Sequence, residues 1–260
     1  MARRRSGIVG PSRLLATLVL LSSSTVLTAT SAMAAEVRVA VAANFIAPAE
    51  QIAAAFESST DHEVRLSSGS TGALYAQITQ GAPFAVLLAA DVLRPSRAVD
   101  EGYGVADTVF TYAIGRLALF SPLLDMSDGL AALAGGDFTH LAIADPETAP
   151  YGAAALEVLE ALDLSATILP KLVTGQSVAQ ALQFVKSGNA EIGLLAVSQV
   201  LDEPAGQVWR IPATLHTPIR QDAVLLRMGE GNEAALAFLA FLKSDEAHKI
   251  IDQYGYDVPD

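Results

Sequence analysis

Short apolar runs alternate along the chain with segments whose apolar residues recur every three or four positions. The first run, residues 36–43, is rich in valine and alanine, a composition typical of a buried strand. Predicted strands cover residues 36–43, 63–66, 84–89, 114–120, 141–144, 172–173, 192–197 and 223–227. Predicted helices cover residues 49–56, 73–80, 152–162 and 178–186, with two more within 232–254.

This alternation of strand and helix is typical of an α/β fold with parallel sheets. It occurs once in the first part of the chain and again through the middle, with no low-complexity linker between the two. The sequence therefore predicts two α/β lobes of similar size, each a mostly parallel sheet flanked by helices. We expect the end of the chain to return to the first lobe.

The N-terminus has the pattern of a secretory signal peptide. Four arginines accompany a mostly apolar stretch over residues 14–27, and the small-residue triplet Ala32-Met33-Ala34 follows. The alternative is a retained membrane anchor, which needs about 20 predominantly apolar residues, whereas three serines at 22–24 interrupt this stretch. We expect residues 1–34 to be removed near Ala34 and the protein to work in the periplasm.

The rest of the chain is strongly acidic and has no cysteine. The sequence has 16 basic and 28 acidic residues; residues 1–34 contain four of the basic ones and no acidic one, which leaves a formal net charge of −16. This charge repels nucleic acid and anionic membranes, so we expect no nucleic-acid partner. An exported chain without disulfides must rely on its hydrophobic core.

Neutral hydrogen-bond donors follow several predicted strands, at points where helices begin. Asn44 follows the first strand, Ser70 and Thr71 lie in a loop after the second, and Tyr151 and Val178 lie at helix starts in the middle region. Helix N-termini favour anions, and open α/β sheets bind ligands at the carboxyl ends of their strands. This pattern predicts a small anion held by hydrogen bonds alone. Ordinary helix caps are the alternative interpretation.

The sequence contains no convincing catalytic motif. Its four histidines lack metal-ligand spacing, and the glycines of SGSTG at 68–72 are three apart, unlike those of the hydrolase nucleophile elbow. We therefore expect a protein that is not an enzyme and has no cofactor. The alternatives are a secreted hydrolase with Ser70 as nucleophile, and a structural or adhesive exported domain.

Eight stretches form an ordered set over nearly all of the exported part. They are AANF at 42–45, GSTGALYAQI at 69–78, GAPFAVLLAAD at 81–91, FTYAIGRLALFS at 110–121, AIADPETAPYG at 142–152, KLVTGQSVAQALQFV at 171–185, GNAEIGLLAVSQV at 188–200 and PIRQDAVLL at 218–226. Together they resemble periplasmic molybdate-binding proteins, the solute receptors of ABC importers. The resemblance implies a two-lobed type II binding fold, an oxyanion held between the lobes, and a membrane permease as partner.

The resemblance also implies a set of residues that contact the anion: Asn44, Thr71 or its neighbour Ser70, Tyr151, and Val178 through its backbone N–H. Two positions depart from the family. Ala43 stands where a hydroxyl residue can occur, and Ala196 stands where some members have a tyrosine. The implied lobes are residues 35–112 with 223–260, and residues 113–222. The hinge crossovers would lie near 112–113 and 221–222, and we expect a monomer.

A site built only of donors suits a fully ionised tetrahedral anion, because such an anion offers only acceptors. Phosphate carries a proton near neutral pH, and the hydrogen bond left unmade there costs about 1–3 kcal/mol. We therefore expect molybdate, with tungstate bound as well, and keep sulfate or another small oxyanion as the alternative. If a cation does take part, Arg116, Lys171 and Arg220 are the first candidates.

Overall fold

Two five-stranded sheets, each packed against helices, make up the part of the chain that the structure describes. The computed structural model describes residues 35–259, and the predicted signal peptide, residues 1–34, lies outside them. Within this range, no helix is both long and apolar enough to cross a membrane.

The strands are β1 (Glu36–Ala42), β2 (Glu63–Gly69), β3 (Val86–Leu88), β4 (Phe110–Gly115), β5 (Leu117–Phe120), β6 (Leu141–Ala144), β7 (Leu172–Gly175), β8 (Ile192–Ala196), β9 (Val208–Arg210) and β10 (Ile219–Leu225). The helices are α1 (Ile46–Ser59), α2 (Thr71–Thr79), α3 (Leu93–Asp100), α4 (Gly129–Gly135), α5 (Pro150–Ala161), α6 (Ser165–Ile168), α7 (Val178–Lys186), α8 (Glu233–Phe241) and α9 (Asp245–Gln253). A short 3-10 helix, Ala43–Phe45, joins β1 to α1.

The two sheets share one topology. The strand order is β2-β1-β3-β10-β4 in the first sheet and β7-β6-β8-β5-β9 in the second. In each sheet the first three strands are parallel, the fourth is antiparallel to the third, and the fifth is antiparallel to the fourth. Four strands of each sheet therefore point the same way, which confirms the predicted two-lobed α/β fold with mostly parallel sheets.

The first sheet has helices on both faces. Along β1, Val37, Val39 and Val41 are fully buried in a core that also contains residues of α1, α8 and α9. Ala40 packs instead with residues of α2 and α3 in a second core. Alternate residues of a strand face opposite sides, so this continuous apolar run serves both cores. The last two helices thus pack on the first sheet.

The predicted strand 114–120 is wrong as a single strand. It is divided at Arg116 into β4, which pairs with β10 in the first sheet, and β5, which pairs with β8 in the second. The chain therefore passes between the sheets at Arg116, and it passes back over residues 211–218 between β9 and β10. The predicted crossovers, 112–113 and 221–222, fall inside β4 and β10, and the lobe boundaries stay a prediction.

Smaller differences have local causes. β2 extends to Gly69, beyond the predicted 63–66, because its parallel pairing with β1 continues along the whole of both strands. α1 begins at Ile46, and Pro48 lies in its first turn, where proline is tolerated. The pattern did not predict α3, α4, α6 or β9, which are short or carry an interrupted apolar pattern.

Candidate functional site

A small cavity lies where the carboxyl ends of the parallel strands of the two sheets meet. Its volume is about 10 Å³. It is lined by Ala42, Ala43, Asn44, Ser70, Thr71, Ala90, Ala149, Pro150, Tyr151 and Val178. All five residues predicted to contact the anion are in this lining, and none of the ten residues carries a charge.

Four helix starts surround the cavity. The 3-10 helix that contains Asn44 leads into α1, and Thr71, Pro150 and Val178 are the first residues of α2, α5 and α7. The first N–H groups of a helix have no partner within it. No side chain caps the 3-10 helix, α2 or α5. The cavity therefore faces the positive ends of several helix dipoles.

Thr71 presents an oriented hydroxyl. Its Oγ1 accepts a hydrogen bond from the Ala90 backbone N–H at 3.0 Å, and the residue is 1% exposed. Because the oxygen is held as an acceptor, its own hydrogen is left to donate elsewhere. Ser70, at the N-cap position of α2, is also buried and does not cap the helix. Both hydroxyls therefore stay candidates.

The Asn44 side chain is oriented by other buried groups. Its Nδ2 donates to Gln221 Oε1 at 2.9 Å and to the Tyr256 hydroxyl at 3.0 Å. Its backbone oxygen accepts from the Tyr256 hydroxyl at 2.6 Å and from Ser198 Oγ at 2.8 Å. Both amide hydrogens are thus occupied within the protein, and the residue also has its backbone N–H at the start of the 3-10 helix.

The Tyr151 hydroxyl belongs to the same polar network. It accepts a hydrogen bond from Gln221 Nε2 at 3.4 Å. Burial raises the pKa of the Tyr151 phenol well above its ordinary value, and the nearby Tyr256 and Tyr112 add to this effect. The phenol is therefore neutral at physiological pH. At the second position of α5, Tyr151 also has a first-turn N–H, as Val178 does in α7.

The three cations considered from the sequence are absent from the cavity lining and are engaged elsewhere. Lys171 Nζ donates to the backbone oxygens of Gly136 and Phe138 at 2.6 and 2.9 Å. Arg116 forms an ion pair with Asp257. Arg220 Nη2 donates to Thr111 Oγ1 at 3.2 Å. The cavity thus has the chemistry of a neutral-donor site.

Beside the cavity, hydrogen bonds link the two halves of the described chain, the half built on the first sheet and the half built on the second. The Gly72 N–H donates to the Thr148 backbone oxygen at 2.9 Å, and Arg94 Nη2 donates to the Glu147 backbone oxygen at 3.0 Å. A Cβ at Gly72 would lie 3.0–3.1 Å from three atoms of Thr148, closer than most real Cβ contacts. Glycine therefore permits this close approach of the two halves.

The sequence pattern did not predict the polar network that surrounds Asn44 and Gln221. Gln221, Tyr112, Tyr256 and Ser198 are far from Asn44 along the chain, yet all four lie within hydrogen-bond distance of Asn44 or Gln221. Gln221 has one recognisable feature in the sequence: it is a polar residue shortly before a strongly apolar run. Among the described residues, no group of three or more His, Cys, Asp or Glu side chains could hold a metal ion.

Comparison with known proteins gives a consistent result. A family model of bacterial extracellular solute-binding proteins matches residues 37–257. The molybdate-binding protein ModA of Rhodobacter capsulatus is 51% identical over 225 residues, which is 86% of this chain and 89% of that protein. Its counterpart from Azotobacter vinelandii is 50% identical over 234 residues, or 88% and 93% of the two chains.

A solved structure agrees with these sequence matches. The periplasmic molybdate-binding protein of Azotobacter vinelandii matches with a TM-score of 0.81 and 37% identity, over 86% of this chain and 100% of that one. The resemblance predicted from the eight sequence stretches is therefore confirmed.

Proposed function

We propose a function for this chain as a member of the family of bacterial extracellular solute-binding proteins, to which it belongs. Its relatives in Rhodobacter capsulatus and Azotobacter vinelandii bind molybdate, as their names state, and are about half identical to it over most of its length. The chain captures molybdate and delivers it to an ABC importer, as the sequence motifs predicted.

The observation that carries this proposal is the neutral cavity at four helix starts. Its ten lining residues include no charged side chain, and its polar groups are hydroxyls, one amide and first-turn N–H groups. A cation in the site would have to be desolvated and would stay unpaired when the site is empty. Donors fixed by the fold avoid that cost and suit an anion that only accepts hydrogen bonds.

The geometry supports a particular donor group for each of the proposed site residues. Thr71 offers its hydroxyl, because the Ala90 N–H already occupies one of its acceptor positions. Tyr151 and Val178 offer backbone N–H groups, and the Tyr151 phenol stays within the network. Asn44 offers its backbone N–H, and its amide becomes available only if it exchanges a partner. Ser70 is the alternative hydroxyl.

Cavity size implies movement on binding. A volume of about 10 Å³ is close to the minimum for one water. An anion with four oxygens is larger, so we expect the bound cavity to be wider. The lobes, residues 35–112 with 223–260 and residues 113–222, must therefore separate before the anion can enter. We expect the ligand-free protein in solution to sample this open state, and the ligand to draw the lobes together from it around the anion.

Several finer features belong to the same proposal. Tungstate matches molybdate in charge and closely in size, so we expect it to bind as well. Sulfate is fully ionised too but smaller than molybdate, so the size of the bound cavity is the only property that could discriminate against it. We also propose a periplasmic monomer that has lost its signal peptide near Ala34, has no catalytic activity and no cofactor, and docks on a membrane permease.

A thermal-shift screen with molybdate, tungstate, sulfate, phosphate and chloride tests the function. A ligand that binds only the native state raises its stability by about 2.7 kcal/mol at 100 times its dissociation constant. Molybdate and tungstate should raise the melting temperature strongly, whereas phosphate and chloride should not. A larger shift with sulfate than with molybdate would favour the alternative receptor, and no shift with any oxyanion would contradict the proposal.

A further inference from the structure

Gln221 joins residues from the two halves of the cavity. It is fully buried in β10, beside an irregularity in the pairing of β10 with β4. Its Oε1 accepts from Asn44 Nδ2 at 2.9 Å, and its Nε2 donates to the Tyr151 hydroxyl at 3.4 Å. Asn44 follows β1 of the first sheet, whereas Tyr151 begins α5 beside the second. One side chain therefore holds a cavity residue from each half.

The bonding pattern requires an amide. Gln221 Oε1 is an acceptor for Asn44 and lies 3.1 Å from the Tyr112 hydroxyl, while its Nε2 is a donor to Tyr151. A carboxylate could accept but could not donate, and an apolar side chain could do neither. All three partners are themselves buried, so the groups left behind by a substitution would have no water to replace the amide.

Gly115 makes room for this arrangement. A Cβ built on Gly115 would lie 2.7 Å from Gln221 Nε2 and closer still to the Tyr151 hydroxyl. Real Cβ atoms essentially never approach so closely, so any side chain here would displace the amide, the phenol or both. The last residue of β4 thus supports the same contact independently of the hydrogen bonds.

We infer that Gln221 is a positioning residue of the oxyanion site: it fixes the orientation of Asn44 and Tyr151 from the strand that returns to the first sheet. Gln221 does not line the cavity and acts only through these two residues. The inference deepens the proposed function and rests on it for the identity of the anion. The two hydrogen bonds by which Gln221 bridges Asn44 and Tyr151, called the bridge below, do not depend on any ligand.

Nuclear magnetic resonance of the ligand-free, ¹⁵N-labelled protein tests the bridge. The Asn44 side-chain NH₂ signal, assigned by its loss in Asn44→Ala, should exchange slowly with solvent in the wild type. In Gln221→Leu it should shift and exchange faster. Thr111→Val is the matched control, because Thr111 donates to Asp222 at 2.7 Å and accepts from Arg220 at 3.2 Å on the same strand pair, but has no hydrogen bond to Asn44 or Gln221. An Asn44 signal unchanged in Gln221→Leu would overturn the inference.

Calorimetric titration with sodium molybdate tests the consequence. In metal sites, groups that orient the ligating residues typically carry about 10- to 100-fold in affinity. We expect a loss of that order for Gln221→Leu, because displaced Asn44 and Tyr151 side chains would shift the backbone N–H groups that these residues offer to the anion. Thr111→Val should bind as the wild type does. Equal affinities of Gln221→Leu and the wild type would also overturn the inference. If the wild type does not bind molybdate, that result would contradict the proposed function instead. The resonance experiment would then still test whether Gln221 bridges Asn44 and Tyr151.

Gly115→Ala provides a second variant in case Gln221→Leu fails to fold. Its added methyl group should displace the Tyr151 hydroxyl and the Gln221 amide, and it should lower molybdate affinity and shift the Asn44 signal. Gly135→Ala is its control, because a methyl group there would meet nothing closer than 4.0 Å. Wild-type affinity and an unshifted Asn44 signal in Gly115→Ala would count against the bridge.

Discussion

Replacing Thr71 with valine removes one hydroxyl and nearly preserves the shape of the side chain. The hydroxyl oxygen already accepts a hydrogen bond from the Ala90 N–H at 3.0 Å, so the hydroxyl hydrogen is free to donate a hydrogen bond to the anion. Losing a hydrogen bond to a charged group costs about 1.5–3 kcal/mol, which is roughly a 10- to 150-fold loss of affinity. Calorimetric titration with molybdate measures this loss directly.

The same substitution should lower the stability of the ligand-free protein. Ala90 is 2% exposed, and its N–H would lose its acceptor. A buried donor without a partner costs about 1–3 kcal/mol, which urea denaturation without molybdate would show as a lower free energy of unfolding. The two effects are separable, because one is measured without ligand and the other as a dissociation constant of the folded protein.

Two further variants make the test decisive. Thr71→Ser keeps the hydroxyl and should retain both affinity and stability. Ser70→Ala removes a hydroxyl that does not cap its helix and should have little effect on stability. If Ser70→Ala weakens binding and Thr71→Val does not, the anion uses the neighbouring hydroxyl and our assignment is wrong. If neither matters, the start of α2 does not contact the anion.

Three other predictions concern the whole protein. Small-angle scattering should give a smaller radius of gyration with saturating molybdate, because the cavity residues come from both sheets; an unchanged radius would argue against closure. Affinity measured in increasing sodium chloride should stay flat or rise slightly, because the cavity has no cation and the exported chain is strongly negative; a steep fall would point to a cation in the site. Burial raises the pKa of Tyr256 to about 12 and that of Tyr151 in the same direction. The unfolded state therefore loses these protons first, near pH 10. The free energy of unfolding should be insensitive to these groups below about pH 10 and should fall from there toward pH 12, as urea denaturation across that range can check; a rise would contradict the assignment.

Local signals were sufficient to predict much of the fold. The valine-rich run of β1 and the equivalent apolar run of β6 are buried on both faces, so their composition alone indicates central strands. Junction residues were also visible, because Asn44, Thr71 and Val178 lie at helix starts within a few residues of the end of a strand. The sequence thus predicted five of the ten residues that line the cavity, since the carboxyl ends of parallel strands converge on one edge.

Long-range arrangements could not be predicted in this way. Arg116 looks like one polar position inside a continuous strand, and only the pairing of its neighbours with different sheets shows that the chain passes from one sheet to the other there. The Asn44 amide was expected to face the ligand, but Gln221 and Tyr256 occupy it from 177 and 212 residues away. No periodicity or spacing reports contacts of this kind.

Crystals grown with molybdate and measured at the molybdenum absorption edge would locate the bound anion. The anomalous difference map should show one strong peak inside the cavity, within hydrogen-bond reach of Thr71 Oγ1 and of the backbone nitrogens of Tyr151 and Val178. No arginine or lysine should contact the anion. A strong peak beside a basic side chain outside this cavity, with the cavity itself empty, would contradict the account.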